Sequence, residues 1–118
     1  MNEYAAYYMK SLYPLQNGVL KLVRENKLPF YLTGGTAISR QYCQHRFSDD
    51  LDLFVNQDSD YPDYINHFFQ LLTSNREDNP YGIDLQRIIR TESYAQFYVF
   101  EKNRPDILLK LDFVNDYA

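Results

Sequence analysis

Residues 30–55 read FYLTGGTAISRQYCQHRFSDDLDLFV, and the order of features within that run decides the fold. Phe30, Tyr31 and Leu32 form a short β-prone run, and Gly34-Gly35 stop it where a tight turn into a helix needs residues without Cβ. Thr36 to Cys43 are then predicted to be helical, with a first turn whose unpaired backbone N–H groups suit phosphate oxygens. After a basic turn, Asp50, Leu51, Asp52, Leu53, Phe54 and Val55 switch to a period of two. Successive strand side chains point to opposite faces, so Asp50 and Asp52 share one face while Leu51 and Leu53 share the other. Asp49 falls on the face opposite Asp50 and is assigned to the turn. Two carboxylates are thereby held side by side on a rigid element.

Toward the N-terminus, residues 3–26 have helical character in two pieces. Pro14 lacks an N–H and suits the first turn of a helix, which predicts a break near Leu12–Tyr13. Beyond it Leu15, Val19, Leu22 and Val23 recur at helical spacing and should face a sheet. Tyr4, Tyr7 and Tyr8 fit either a core or a patch for a partner, with core the favoured reading. Asn26-Lys27-Leu28-Pro29 ends the helix.

Toward the C-terminus, Asn56 to Asp60 is a polar loop. Pro62, Ile65, Phe68, Phe69 and Leu72 then mark an amphipathic helix reaching about Ser74. Asn75 to Gly82 is turn-rich, and Ile83–Arg90, Tyr94–Glu101 and Ile107–Val114 are predicted strands whose short connections suggest an antiparallel meander. In the last of these, ILLKLDFV, Lys110 and Asp112 share a face of an otherwise apolar run, where burying charge is costly unless something pairs it. Asp50, Asp52 or a bound cation are candidate partners. The expected architecture is α+β, a mixed sheet with packed helices, with Asp50, Asp52 and Asp112 converging at one edge. The chain ends directly after that strand, at Asp116-Tyr117-Ala118, which suggests a piece of a longer protein.

Composition narrows the function classes. A chain of 118 residues fits one domain, 1–118, able to bury roughly two-thirds of its unfolded surface. The net charge of -4 argues against a nonspecific polyanion binder, which carries a basic excess. No apolar run approaches the ~20 residues of a membrane span, and no signal-like leader is present, so no membrane partner and a cytoplasmic location are expected. Cys43 has no second cysteine to join and is read as helix packing. His67 is read as a surface or packing residue, and His45, beside Arg46, as a possible substrate contact.

Three acids on two strands can hold a pair of hard divalent cations, and two such ions about 3.5–4 Å apart can activate a hydroxyl and stabilise a leaving phosphate. The glycine turn and helix N-terminus would hold nucleotide phosphates, and Arg46, Ser48 and Lys110 could bind further phosphate oxygens. Each piece alone has a bland alternative: a strand-edge Asp-x-Asp, a plain Gly-Gly turn, a structural Lys110–Asp112 ion pair. Their order and register favour the functional reading.

With these residues in place, the chain resembles the DNA polymerase beta-like nucleotidyltransferase superfamily, marked by a Gly-Gly or Gly-Ser turn, an Asp-x-Asp strand and a later acid. More narrowly, positions 33–54 and the final KLDFVND resemble the AbiEii toxin family of nucleotidyltransferases. The resemblance implies a nucleotidyltransferase core that takes a nucleoside triphosphate and two Mg2+ ions. It places Gly34, Gly35 and Thr36 at the nucleotide phosphates, Asp50 and Asp52 as metal ligands, Asp112 as third acid and base, and Lys110 at the triphosphate or substrate. It further implies a toxin with a cognate antitoxin, in the setting of abortive infection, with the end of a transfer RNA as an acceptor. Members continue into a helical C-terminal domain, absent from these 118 residues. The alternatives are a small-molecule or protein acceptor, or a noncatalytic binding module on the same fold.

Overall fold

The computed structural model describes residues 8–32 and 50–117. A π-helical turn, Tyr8–Leu12, leads into α1, Tyr13–Glu25, with Pro14 in its first turn. The chain therefore changes helix type at Leu12–Tyr13, where the missing proline N–H costs least. α1 buries Leu15, Gln16, Val19 and Val23, while Leu22 is only partly buried. Two groups of Asn26, the backbone N–H at 3.1 Å and the side-chain amide at 2.9 Å, donate to the Leu22 carbonyl, and Lys27 follows in the left-handed region at φ 55°. These contacts satisfy carbonyls left open at the helix end.

Strands β1 (Tyr31–Leu32), β2 (Asp50–Asn56), β3 (Tyr81–Ile83), β4 (Ile89–Arg90), β5 (Tyr94–Glu101) and β6 (Arg104–Asp116) form one mixed sheet of order β1-β2-β6-β5-β3, with β4 also on β5. Only β2–β6 is parallel; the other pairs are antiparallel. Between β2 and β3 lies α2, Tyr61–Thr73, with Pro62 in its first turn. The odd-numbered residues of the central strands, Leu51, Leu53, Val55, Phe97, Leu109, Leu111 and Phe113, join Leu15, Val19, Val23, Ile65, Phe68 and Leu72 in one buried cluster. Phe113 sits at its middle, with ring centroids 4.9 Å from Phe30, 5.0 Å from Phe68 and 6.0 Å from Phe97. Each such side chain contributes about 1.5–3 kcal/mol by leaving water. The architecture is the expected α+β mixed sheet, and among the described residues no helix is long and apolar enough to cross a membrane.

Three expectations change. The strand expected over Ile83–Arg90 is interrupted: the Asp84 carboxylate accepts from the Gln86 N–H at 3.0 Å and from Arg87 Nε at 2.7 Å, folding the segment into a turn between β3 and β4. Tyr81 and Gly82, expected in a loop, belong to β3 instead. Gly82 lies opposite Phe100, and a Cβ there would come within 2.7 Å of the Phe100 ring. Finally, β6 is longer than expected and starts at Arg104 despite Pro105. That proline is tolerated because β2 pairs only with residues 110–116, so this end of β6 makes no ladder with it.

Asn115, 3% exposed, ties the end of β6 to the loop after β2. Its Oδ1 accepts the Asp58 N–H and its Nδ2 donates to the Asp58 carbonyl, both at 2.9 Å. Removing the amide leaves both backbone groups without this partner. Asn115→Ala should lower unfolding stability by about 1–3 kcal/mol, read as a lower urea midpoint at unchanged slope. A midpoint indistinguishable from wild type would show that the clasp contributes nothing.

Candidate active site

Opposite the core, the even-numbered residues of β2, β6 and β5 form a half-buried polar face. The registers align them in three rows. Asp50 faces Lys110, which faces Tyr98; Asp52 faces Asp112, which faces Gln96; Phe54 faces Val114, which faces Tyr94. Parity within each strand follows from the sequence, and the parallel pairing of β2 with β6 adds the juxtaposition of acids. Asp112 lies inside the sheet, between β2 and β5, rather than at the expected edge, whereas the described β1 ladder meets β2 only at Leu53 and Phe54, past Asp50 and Asp52.

Asp112 is the buried member, 7% exposed. The Tyr94 hydroxyl donates to its Oδ1, and Lys110 Nζ lies 3.5 Å from its Oδ2. The Tyr94 oxygen is also 2.9 Å from Gln96 Oε1. A phenol has one proton to give, so the arrangement is satisfied with that proton on Asp112 and the Gln96 amide turned to offer its NH2. Burial, then the bond to Asp112 and its charge, push the Tyr94 phenol well above its usual range, so it stays a donor at neutral pH. Burial alone would lower Lys110, but the carboxylates of Asp112 and Asp50 outweigh it and hold the ammonium above its ordinary value.

Asp52 is raised by burial first, then by a side-chain hydrogen bond with Asp112 and the charges of Asp112 and Asp50, with Lys110 opposing. Two carboxylates facing one another repel when both are charged, which favours the protonated form of Asp52. Among the described residues no three His, Cys, Asp or Glu side chains are arranged as a ready metal cage. The facing pair nevertheless suits a hard divalent cation in donor chemistry: oxygen ligands only, whose mutual repulsion a cation would relieve. Asp50 stands two residues along the same face.

The other expected site residues, Gly34, Gly35, Thr36, Arg46 and Ser48, lie outside the described residues, as do Cys43, His45 and Asp49. So do Tyr4 and Tyr7, and of Tyr8 only the backbone is described. His67 is an exposed residue of α2. Two neighbours of the acids were not singled out from the sequence, Tyr94 and Gln96. The alternation of YAQFYVFE puts Tyr94, Gln96 and Tyr98 on one face, but nothing local says that this face is the one carrying the acids.

The sign of the Asp52 shift fixes a pH dependence. Above 3.8, its ordinary value, the folded chain holds this proton more tightly than the unfolded one, so the group favours folding in acid and that contribution is lost as pH rises. In chelator, wild type should lose stability relative to Asp52→Asn as pH rises from 3.8 through the folded value, measured by urea unfolding at each pH. A difference independent of pH would contradict the upward shift of Asp52.

Residues 22–117 match the family model described as "Nucleotidyl transferase AbiEii toxin, Type IV TA system". No curated protein sequence matches the chain. Among solved structures, MenT4, a nucleotidyltransferase toxin from Mycobacterium tuberculosis H37Rv, superposes with a TM-score of 0.60 at 21% identity, covering 90% of this chain. This chain spans 37% of that protein's length, and at such identity the likeness establishes a shared fold. With 22–117 of its 118 residues matched, the chain belongs to the AbiEii family of nucleotidyl transferase toxins.

Proposed function

We propose that this chain carries a DNA polymerase beta-like catalytic core, which moves a nucleoside monophosphate from a nucleoside triphosphate to an acceptor hydroxyl. The observation that carries this proposal is the row in which Asp52 faces Asp112 across parallel strands, with Asp50 facing Lys110 in the next row. Asp50, Asp52 and Asp112 would hold two Mg2+ ions, which when bound neutralise the triphosphate and make the acceptor hydroxyl more acidic.

The chain's own groups then have distinct tasks. Asp112 takes the hydroxyl proton, and Lys110, 3.5 Å from that carboxylate, offers an ammonium to phosphate oxygens. The acceptor oxygen forms a bond to the α-phosphorus, the bond from that phosphorus to the bridging oxygen breaks, and pyrophosphate leaves with the electron pair. Gly34, Gly35 and Thr36 hold the phosphates through backbone N–H groups, with Arg46 and Ser48 completing the contacts. In keeping with its family, the protein acts as the toxin of a toxin–antitoxin pair, and its acceptor is the end of a transfer RNA.

Calorimetry with the four nucleoside triphosphates, with and without Mg2+, tests the donor site in wild type and in the Asp50→Ala, Asp52→Ala double variant. At least one triphosphate should bind wild type only with Mg2+ and fail to bind the variant. Binding that survives loss of both acids would overturn the site assignment. A transfer RNA acceptor should then bind with a steep loss of affinity as salt rises, whereas a shallow slope would point to a small neutral acceptor.

A further inference from the structure

We infer that Tyr94 is a positioning residue of this site, fixing the Asp112 carboxylate for a divalent cation. The inference rests on the proposal that the acids bind a metal and extends it to a side chain on a third strand. Tyr94 opens β5, two residues out of register with Asp112, since its backbone partner is Val114 while Gln96 faces Asp112. Its phenol crosses that diagonal to donate to Asp112 Oδ1, leaving Oδ2 on the side of Lys110. Diagonal neighbours on an antiparallel pair come within reach of an aromatic side chain, and a phenol has few rotamers to lose in making the contact.

The backbone beneath Tyr94 is itself pinned. The Thr91 N–H donates to the Tyr94 carbonyl at 2.7 Å, and the Tyr94 N–H donates to Thr91 Oγ1 at 3.1 Å. The next strand is tied to the same turn, because the Asn115 N–H donates to the Ser93 carbonyl at 2.8 Å. The phenol therefore approaches Asp112 from a base held by both strands. A ligating carboxylate held by a hydrogen bond presents its oxygens in one orientation, and loss of such an outer partner characteristically weakens metal binding about 10–100-fold. Lys110 cannot replace it, since its ammonium approaches the other oxygen on a long flexible stem.

Mn2+ serves as the probe, with free ion followed by electron paramagnetic resonance, on wild type, Tyr94→Phe, Tyr61→Phe and Asp52→Asn. Tyr61→Phe controls for stability. It removes a buried hydroxyl that donates to the Phe113 carbonyl at 2.9 Å on the core side of the sheet, so it should lower the melting temperature without changing Mn2+ affinity. Tyr94→Phe, which keeps the ring, should weaken Mn2+ binding by about 10–100-fold. Equal affinity in wild type and Tyr94→Phe, with Asp52→Asn unable to bind, would overturn the role of Tyr94 and leave the metal site standing. Equal weakening in both tyrosine variants would overturn it as well, reducing the effect to lost stability. If wild type does not bind Mn2+, or Asp52→Asn binds as tightly as wild type, the metal site itself falls and this inference with it.

Discussion

The parallel pairing of β2 with β6 is the constraint on which the rest of the site depends. It brings Asp52 against Asp112, two groups that repel when both are charged: at about 4 Å and an effective dielectric near 20, like charges cost roughly 4 kcal/mol. Left to electrostatics, the strands would slide apart. The core prevents this, because a slip of one residue between the strands would turn one of the two apolar sets, Leu51, Leu53 and Val55 or Leu109, Leu111 and Phe113, out to the polar face and bury the charges of that strand. Apolar packing on one face thus enforces an unfavourable meeting on the other. The repulsion is met locally by Lys110 and by Tyr94, and a divalent cation would relieve it more fully.

The two faces of the sheet accordingly do different work. α1 and α2 seal the odd-numbered side, where Tyr61 and Phe113 link the helix start to the central strand by a hydrogen bond as well as by burial. Burial pushes the Tyr61 phenol up to about 12, consistent with a group that donates and never ionises near neutrality. The even-numbered side keeps its acids half exposed, except for Asp112, which is the one most completely held by neighbours. Asp112 and Lys110 on β6 have supports on both sides, β2 on one and β5 on the other. Side chains held in this way have little freedom left to lose on binding a ligand.

Much of this was legible in residue order. The alternation in DLDLFV gave the parity of Asp50 and Asp52, ILLKLDFV gave that of Lys110 and Asp112, and Pro14 located the change of helix type. These are local matters: backbone periodicity and the loss of one N–H act within a few residues, and no distant partner can reverse them. The AbiEii likeness was legible for the same reason, since Gly-Gly-Thr-Ala and the Asp-Leu-Asp run are contiguous. The Asp84 turn was missed although it too is local. Ile83–Arg90 has strand composition, and only the competition of the Asp84 carboxylate for the Gln86 N–H and the Arg87 guanidinium interrupts it.

What the sequence by itself determined is which residues share a face within each strand and helix. Which strands lie side by side, and in what register, was decided by tertiary structure alone. That choice set Asp112 between two strands rather than at an expected edge, placed Asp52 against it, and brought Tyr94 from a separate strand onto the Asp112 carboxylate. It also turned Asn115, unremarkable in the chain, into the clasp on Asp58. The physical reason is that pairing is selected by the burial of the whole odd-numbered face at once, a sum over distant segments that no single stretch of sequence contains.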